Sequence, residues 1–260
     1  MDWLIDFGNT NVKWSYVLGD DYLYGGSLAY TNSTPKELVK TININSPVDI
    51  QPKNILIASV GKPGFVVAFC DLLIDSHTSN VRIVESSRML LGIKNSYANP
   101  SQLGIDRLLA MGAAYYQVKH SACIVVDIGT ALTLDCVDQA GNHLGGLIVP
   151  GKDLMLNSLK SESAKLDISR TFNLELSDLP LLGKNTQDAL YSGVHFMIVN
   201  FIQQQAEKVR NTLLAEQRTS LLLTGGGSKV FRQTLGEDWI YEPGLVLKGL
   251  HLLLMAEINQ

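Results

Sequence analysis

The chain has 260 residues, of which 46% are hydrophobic and 18% charged, and its net charge is −4. That length and balance suit one large domain or two ordinary ones with true apolar cores. With no long Lys/Arg run, the charge argues against a nucleic-acid protein driven by phosphate neutralisation.

In chain order, residues 1–30 read as three strands. Trp3-Leu4-Ile5 runs into the turn Asp6-Phe7-Gly8-Asn9-Thr10. Beyond it Val12, Trp14 and Tyr16 alternate with Asn11, Lys13 and Ser15, the period of a half-buried strand. Gly19-Asp20-Asp21 is the turn into the third strand, which carries Gly25-Gly26. Thr34-Pro35-Lys36-Glu37 has the order of a capping box with Pro at the first helical position, so a short helix through Val39 follows. A buried strand over 55–60 ends at Gly61, a helix covers 65–74, and a strand covers 81–84. Residues 85–104, rich in Ser, Asn, Pro and Gly, read as a loop containing Tyr97. Gly104-Ile105-Asp106-Arg107 then opens a helix over 108–118.

From residue 121 the opening pattern returns. Cys123-Ile124-Val125-Val126 leads into Asp127-Ile128-Gly129-Thr130-Ala131, alternation resumes, and Gly145-Gly146 falls where Gly25-Gly26 fell. A hairpin that recurs half a chain later suggests duplication of one domain, with units over 1–119 and 120–260. Residues 152–182 mix helix with polar loop, including 176–182 around Pro180. Asn185-Thr186-Gln187-Asp188 caps a long helix, whose Leu190, Val194, Met197, Ile198 and Phe201 have the three-four spacing of a buried face. A strand over 221–223 leads to Thr224-Gly225-Gly226-Gly227-Ser228, and a last helix runs from about 244 to 256. Lys248 and His251 interrupt that last apolar stretch, which is too short to span a bilayer. The N-terminus enters a strand with no basic segment before it. The three cysteines (Cys70, Cys123, Cys136) form no CxxC and read as small core residues of a reducing compartment. The five histidines are scattered, which argues against a zinc site. A soluble cytoplasmic protein is expected.

The two acidic-x-Gly-polar turns carry the chemistry. Successive N–H groups in a glycine turn can point at one anion. Asn9, Thr10 and Thr130 add donors and Lys13 a positive charge. Asp6 and Asp127 would repel a phosphate directly, so a cation belongs between carboxylate and phosphate. One such hairpin alone reads more simply as an ordinary turn; two in the same order favour a nucleotide clamp. The Gly225 triplet reads equally as a nucleotide-accommodating turn or a plain strand-to-helix turn, and neither a Walker A loop nor a Rossmann fingerprint is present. Asp106 reads as a general base for a substrate hydroxyl or as a helix N-cap. Arg107 reads as an anion fork or a solvated helix residue. For both, spacing alone favours the plainer reading. Asn185 and Thr186 compete as simple caps, and Tyr97 as a packing ring or a substrate wall.

Together and in this order, Asp6-Phe7-Gly8-Asn9-Thr10 with Lys13, Gly104-Ile105-Asp106-Arg107, Asp127-Ile128-Gly129-Thr130, Gly145-Gly146-x-Ile148-x-Pro150-Gly151 and Asn185-Thr186 resemble the type III pantothenate kinase family. The resemblance implies an α/β fold of the acetate and sugar kinase, Hsp70 and actin superfamily: two ribonuclease-H-like domains in tandem, with the active site in the cleft between them. It implies phosphorylation of pantothenate by ATP, the first step of coenzyme A synthesis. Matched position by position, Asp6, Phe7, Gly8, Asn9, Thr10, Asn11, Val12, Lys13, Gly129 and Thr130 fall on the ATP site. Asp106 falls on the catalytic base. Tyr97, Gly104, Ile105, Asp106, Arg107 and Thr186 fall on the pantothenate pocket. Asp6 falls near magnesium, and Asp127 on a monovalent cation, potassium or ammonium. A homodimer is implied, with no nucleic-acid or membrane partner. The competing readings are a non-catalytic ATP-binding regulator and a related kinase for another small hydroxylated acceptor.

Overall fold

A computed structural model describes residues 1–75, 80–162 and 179–258. The chain forms two compact units, Met1–Ala113 with Leu245–Gln260, and Ala114–Gly244. The expected division at 119/120 gave the C-terminal helix to the second unit. In the structure that helix belongs to the first, because its apolar residues pack on the first sheet.

The first unit is built on a five-stranded sheet. Its strands are β1 (Asp2–Phe7), β2 (Asn11–Leu18), β3 (Asp21–Ala29), β4 (Asn54–Ser59) and β5 (Asn80–Ile83), in the order β3-β2-β1-β4-β5. β1 is antiparallel to β2 and parallel to β4. Alternation fixes the faces. Trp3, Ile5, Phe7, Val12, Trp14, Tyr16, Ile55 and Ile57 form one core with helices α1 (Pro35–Ile44) and α2 (Pro63–Asp75). The other face of β1, β2 and β4 meets the C-terminal helix, over Leu245–Ile258. The capping box is made as read: the Thr34 amide donates to Glu37 Oε2 at 2.7 Å and the Glu37 amide to Thr34 Oγ1 at 3.3 Å. α1 nevertheless runs five residues past Val39, since Ile42 still finds core to bury in.

Residues 85–104 are less irregular than expected. They hold the two-residue strands β6 (Met89–Leu90) and β7 (Ile93–Lys94) and a 3-10 turn over Pro100–Gln102. Helix α3 follows over Ile105–Gln117.

The second unit repeats the first sheet. Strands β8 (Ala122–Ile128), β9 (Ala131–Val137), β10 (His143–Pro150), β11 (Thr219–Thr224) and β12 (Trp239–Tyr241) lie in the order β10-β9-β8-β11-β12. β8 is antiparallel to β9 and parallel to β11. Ile124, Val126, Leu132, Leu134 and Cys136 form its core with α4 (Lys152–Glu162) and α5 (Thr186–Leu213). α6 (Arg232–Leu235) and the C-terminal helix, hereafter α7, complete the helices among the described residues. On α5 the buried face is Ser192, Val194, His195, Ile198, Val199, Ile202 and Ala206. Met197, expected on that face, is 52% exposed. Of the expected loop over 176–182, residues 176–178 lie outside the described residues, and 179–182 carry no helix or strand, as expected. β12 and α6 were not read from sequence, being only three and four residues long.

The two glycine pairs do different work. In β3, a Cβ on Gly25 or Gly26 would strike the Trp14 indole. That ring is held by a hydrogen bond from Trp14 Nε1 to the Tyr16 hydroxyl, which itself donates to the Ile42 carbonyl at 2.5 Å. Here the pair makes room for a core tryptophan. In β10 a Cβ on Gly145 would meet nothing within 4 Å. The cysteines are core residues, as expected. Burial pushes the thiols of Cys123 and Cys136 up to about 12, which makes them poor nucleophiles.

Candidate active site

In the first unit the site grows from the β1–β2 turn. Register makes Asp6 and Lys13 direct cross-strand partners, on the face opposite Phe7 and Val12. Asp6 is only 7% exposed. Phe7 and Val12 are wholly buried in the core, so their side chains face away from the turn's outer surface and any contact they make with a nucleotide falls to backbone. The turn is closed by the Gly8 amide donating to the Asn11 carbonyl at 3.0 Å, with Asn9 exposed at its tip.

The start of α3 is tied to the same strand ends. The Val60 amide donates to the Phe7 carbonyl at 2.9 Å, and the Val60 side chain lies against Gly104. The Leu108 amide donates to the Gly104 carbonyl, so Gly104 holds the cap position. Asp106 is therefore not the N-cap that spacing suggested. It lies in the first helical turn, half-buried, and its Oδ1 accepts from the Arg107 amide at 2.8 Å. Ile105, also read into the acceptor pocket, is buried.

Arg107 is 7% exposed. Its Nη1 donates to the Tyr97 hydroxyl at 3.1 Å, and its guanidinium lies 5.8 Å from that ring's centre. Tyr97 stands on a loop pinned from beneath. Arg88 Nη1 donates to the carbonyls of Asn95 and Tyr97, and its Nη2 to that of Ala98, at 2.8–3.0 Å. Asn95, 1% exposed, donates to the carbonyls of Ser87 and Pro100 and accepts the Tyr97 amide. Sequence reading missed both residues, since Arg88 and Asn95 look like ordinary loop polar groups until their carbonyl partners are seen. If Tyr97 walls the acceptor pocket, as the resemblance implies, Arg88→Ala is expected to raise the KM of the acceptor roughly tenfold, with kcat and the ATP KM little changed. Arg88→Lys should recover only part, because an ammonium lacks the planar fork that reaches three carbonyls. Steady-state kinetics checks this; a loss of stability with an unchanged acceptor KM would overturn it.

In the second unit the equivalent turn is one residue shorter. Four residues separate Phe7 from its partner Val12, but three separate Ile128 from Leu132. The Gly129 amide donates to the Ala131 carbonyl at 2.9 Å, and the Gly151 amide to the Thr130 carbonyl at 2.9 Å. Where Lys13 stands opposite Asp6, Thr133 stands opposite Asp127, and Thr224 flanks Asp127 on β11. A carboxylate between two threonines is a hard-oxygen environment, of the kind that suits a hard cation. The Gly225 triplet folds against the end of β8. The Gly227 amide donates to the Ile128 carbonyl at 2.8 Å, and the buried Ser228 hydroxyl to the Gly225 carbonyl at 2.5 Å. A Cβ on Gly226 would meet nothing within 4 Å, so that glycine faces open space. Asn185 is the N-cap of α5, its Oδ1 accepting the Asp188 amide at 2.9 Å, and Thr186 is exposed at the first helical position.

These quoted stretches are the ones that carry a family. The profile of type III pantothenate kinase matches residues 3–208. The chain belongs to the type III pantothenate kinase family. A relative from Halorhodospira halophila is 31% identical over 95% of this chain and 95% of its own length. One from Nitrosospira multiformis is 32% identical over 95% and 88%; both carry the family's name. Solved structures at lower identity share the fold. The activator of 2-hydroxyisocaproyl-CoA dehydratase from Clostridium difficile superposes with a TM-score of 0.54 at 12% identity, covering 100% of this chain and 96% of its own. MreB5 of Spiroplasma citri gives 0.53 at 10%, covering 100% and 98%. A glucokinase from an Antarctic psychrotroph gives 0.51 at 10%, covering 98% of each. The two five-stranded sheets are thus those of the actin-like ATPase and sugar kinase fold.

Proposed function

We propose that this chain transfers the γ-phosphoryl group of ATP to the primary hydroxyl of pantothenate, the first step of coenzyme A synthesis, with Asp106 as the proton acceptor. The observation that carries the reading is the repeated placement of the family's motifs within each unit. Two Asp-x-Gly turns lie at the same position of two sheets with one strand order, and Asp106 lies in the first turn of the helix whose start meets the end of β4.

Phosphoryl transfer needs alignment and charge neutralisation more than covalent chemistry. The turn over Gly8–Asn11 offers backbone N–H groups and the Thr10 hydroxyl to the phosphates, with Lys13 beside them. Gly129 and Thr130 supply the second set. The Asp106 carboxylate takes the hydroxyl proton as the oxygen attacks phosphorus, and ADP leaves. Arg107 and Tyr97 hold the acceptor, with Thr186 as a further contact. Magnesium near Asp6 and a monovalent cation at Asp127 would neutralise phosphate charge that the carboxylates alone would repel. We take the enzyme to be a homodimer, and Leu147 and Ile148 on β10, Leu154 on α4 and Met197 on α5 are exposed apolar side chains that such an interface could cover. Among the described residues no helix is long and apolar enough to cross a membrane. We take the enzyme to be cytoplasmic.

The test is ATP consumption by purified protein with magnesium, with and without pantothenate and potassium. Pantothenate-dependent turnover stimulated by potassium is expected; turnover indifferent to pantothenate would overturn the reading. In the same assay Asp127→Asn should weaken the potassium activation, shifting its midpoint to higher concentration. An unchanged potassium titration would remove Asp127 from the cation site.

A further inference from the structure

Tyr30 directly follows β3. It was not among the candidate residues, yet it grips the first turn at two points. Its amide donates to the Thr10 carbonyl at 3.3 Å, and its hydroxyl donates to the Gly8 carbonyl at 2.8 Å. The ring is 1% exposed, packed edge-on against Phe7 and tilted against Phe65. Gly61, just past β4, completes the clamp. A Cβ there would lie 2.4 Å from the Tyr30 hydroxyl oxygen and 2.9 Å from the Gly8 carbonyl oxygen, so only glycine leaves room for that hydrogen bond.

The repeat gives the comparison. Gly151 directly follows β10 and donates its amide to the Thr130 carbonyl, as Tyr30 does to that of Thr10. One copy of the hairpin thus carries a phenol at this position and the other carries no side chain. The phenol has a consequence for the turn. In a trans peptide the C=O and N–H point in opposite directions, and no cis peptide is present among the described residues. Fixing the Gly8 carbonyl toward the aromatic core therefore aims the Asn9 N–H outward, at the exposed tip of the turn.

We propose that Tyr30 is a positioning residue for the ATP phosphates: its hydroxyl, seated against Gly61, sets the Gly8–Asn9 peptide so that the Asn9 N–H faces the phosphate. The proposal rests on the reading that this turn binds ATP. The hydroxyl touches no substrate and acts through the peptide it orients. Removing it leaves the ring and its packing in place but lets the peptide rotate.

The experiment measures steady-state kinetics and thermal unfolding for the full chain, Tyr30→Phe, Gly61→Ala, the double variant, and Thr10→Ala as a probe of the turn itself. Tyr30→Phe is expected to raise the ATP KM about five- to tenfold, the scale of one lost hydrogen bond, with the pantothenate KM unchanged. Gly61→Ala should raise the ATP KM by displacing the hydroxyl, and should do so less in the Tyr30→Phe background, since the closest clash is then gone. An ATP KM that rises in Thr10→Ala but not in Tyr30→Phe overturns the clamp and keeps the turn as the ATP site. An ATP KM unmoved by Thr10→Ala overturns the turn reading and the clamp with it. A lower unfolding temperature in Tyr30→Phe with an unchanged ATP KM assigns the hydroxyl to stability alone and also overturns the proposal.

Discussion

Asp106→Asn is expected to lower kcat by 10²- to 10⁴-fold, roughly the contribution of a positioned general base. The substitution removes the proton-accepting capacity but leaves a hydrogen-bond acceptor of the same size in its place. The Asp106 Oδ1 accepts the Arg107 amide at 2.8 Å, and an amide oxygen can accept that same bond. Gly104 has no Cβ to crowd the new side chain, and the helix cap belongs to Gly104, not to residue 106. The fold should therefore persist, with an unfolding temperature within a few degrees of the parent, about what a change under 1 kcal/mol produces in a chain of this size. Both KM values should stay near the parent, since neither the turn over Gly8–Asn11 nor the Arg107–Tyr97 pair is altered. Steady-state kinetics with a thermal melt checks this. Near-normal turnover would sink the base assignment. A fall in kcat accompanied by loss of folded protein would mean that the carboxylate charge at the helix start is structural.

The duplicated hairpin was readable because its signal is local. A period of two, an acidic-x-Gly turn and a glycine pair at matching distance all lie within about twenty-five residues. The capping box at Thr34 and the cap at Asn185 were readable for the same reason. What escaped was set by contacts distant in sequence. The C-terminal helix reads as the end of the second repeat but buries Leu245, Leu250 and Leu254 with the first unit. Arg88 and Asn95 matter only through carbonyls whose arrangement the loop itself creates. The glycine pair in β3 was read only as part of the repeat and proved to be space for Trp14, because periodicity gives a face but not the volume of the ring crossing it. Asp106 was misjudged as a cap by two residues, the usual uncertainty at a helix end.

Gly225→Ala should cost the second unit several kcal/mol, about 1–2 for a left-handed backbone and about 1–3 for overpacking. Gly225 has φ +96°, and a Cβ there would lie 2.3 Å from Asp127 Oδ1 and 2.5 Å from the Ile128 carbonyl oxygen. Neither neighbour can yield cheaply. The Ile128 carbonyl accepts the Gly227 amide at 2.8 Å, so moving it breaks the bond that folds the triplet onto β8. Moving Asp127 shifts the carboxylate assigned to the monovalent cation. Stability and potassium response should thus fall together: a melting temperature lower by roughly 5–15 °C, and potassium stimulation weakened in the protein that remains folded. Gly226→Ala separates these causes, for a Cβ there meets nothing within 4 Å and its φ lies outside the left-handed region. That variant should melt like the parent, and if the nucleotide lies along this glycine its ATP KM alone should rise. Thermal melts and potassium titrations of the two variants decide the matter. A Gly225→Ala protein that melts like the parent would mean that the triplet can refold around a methyl group, and that Asp127 is not held by the close approach of Gly225.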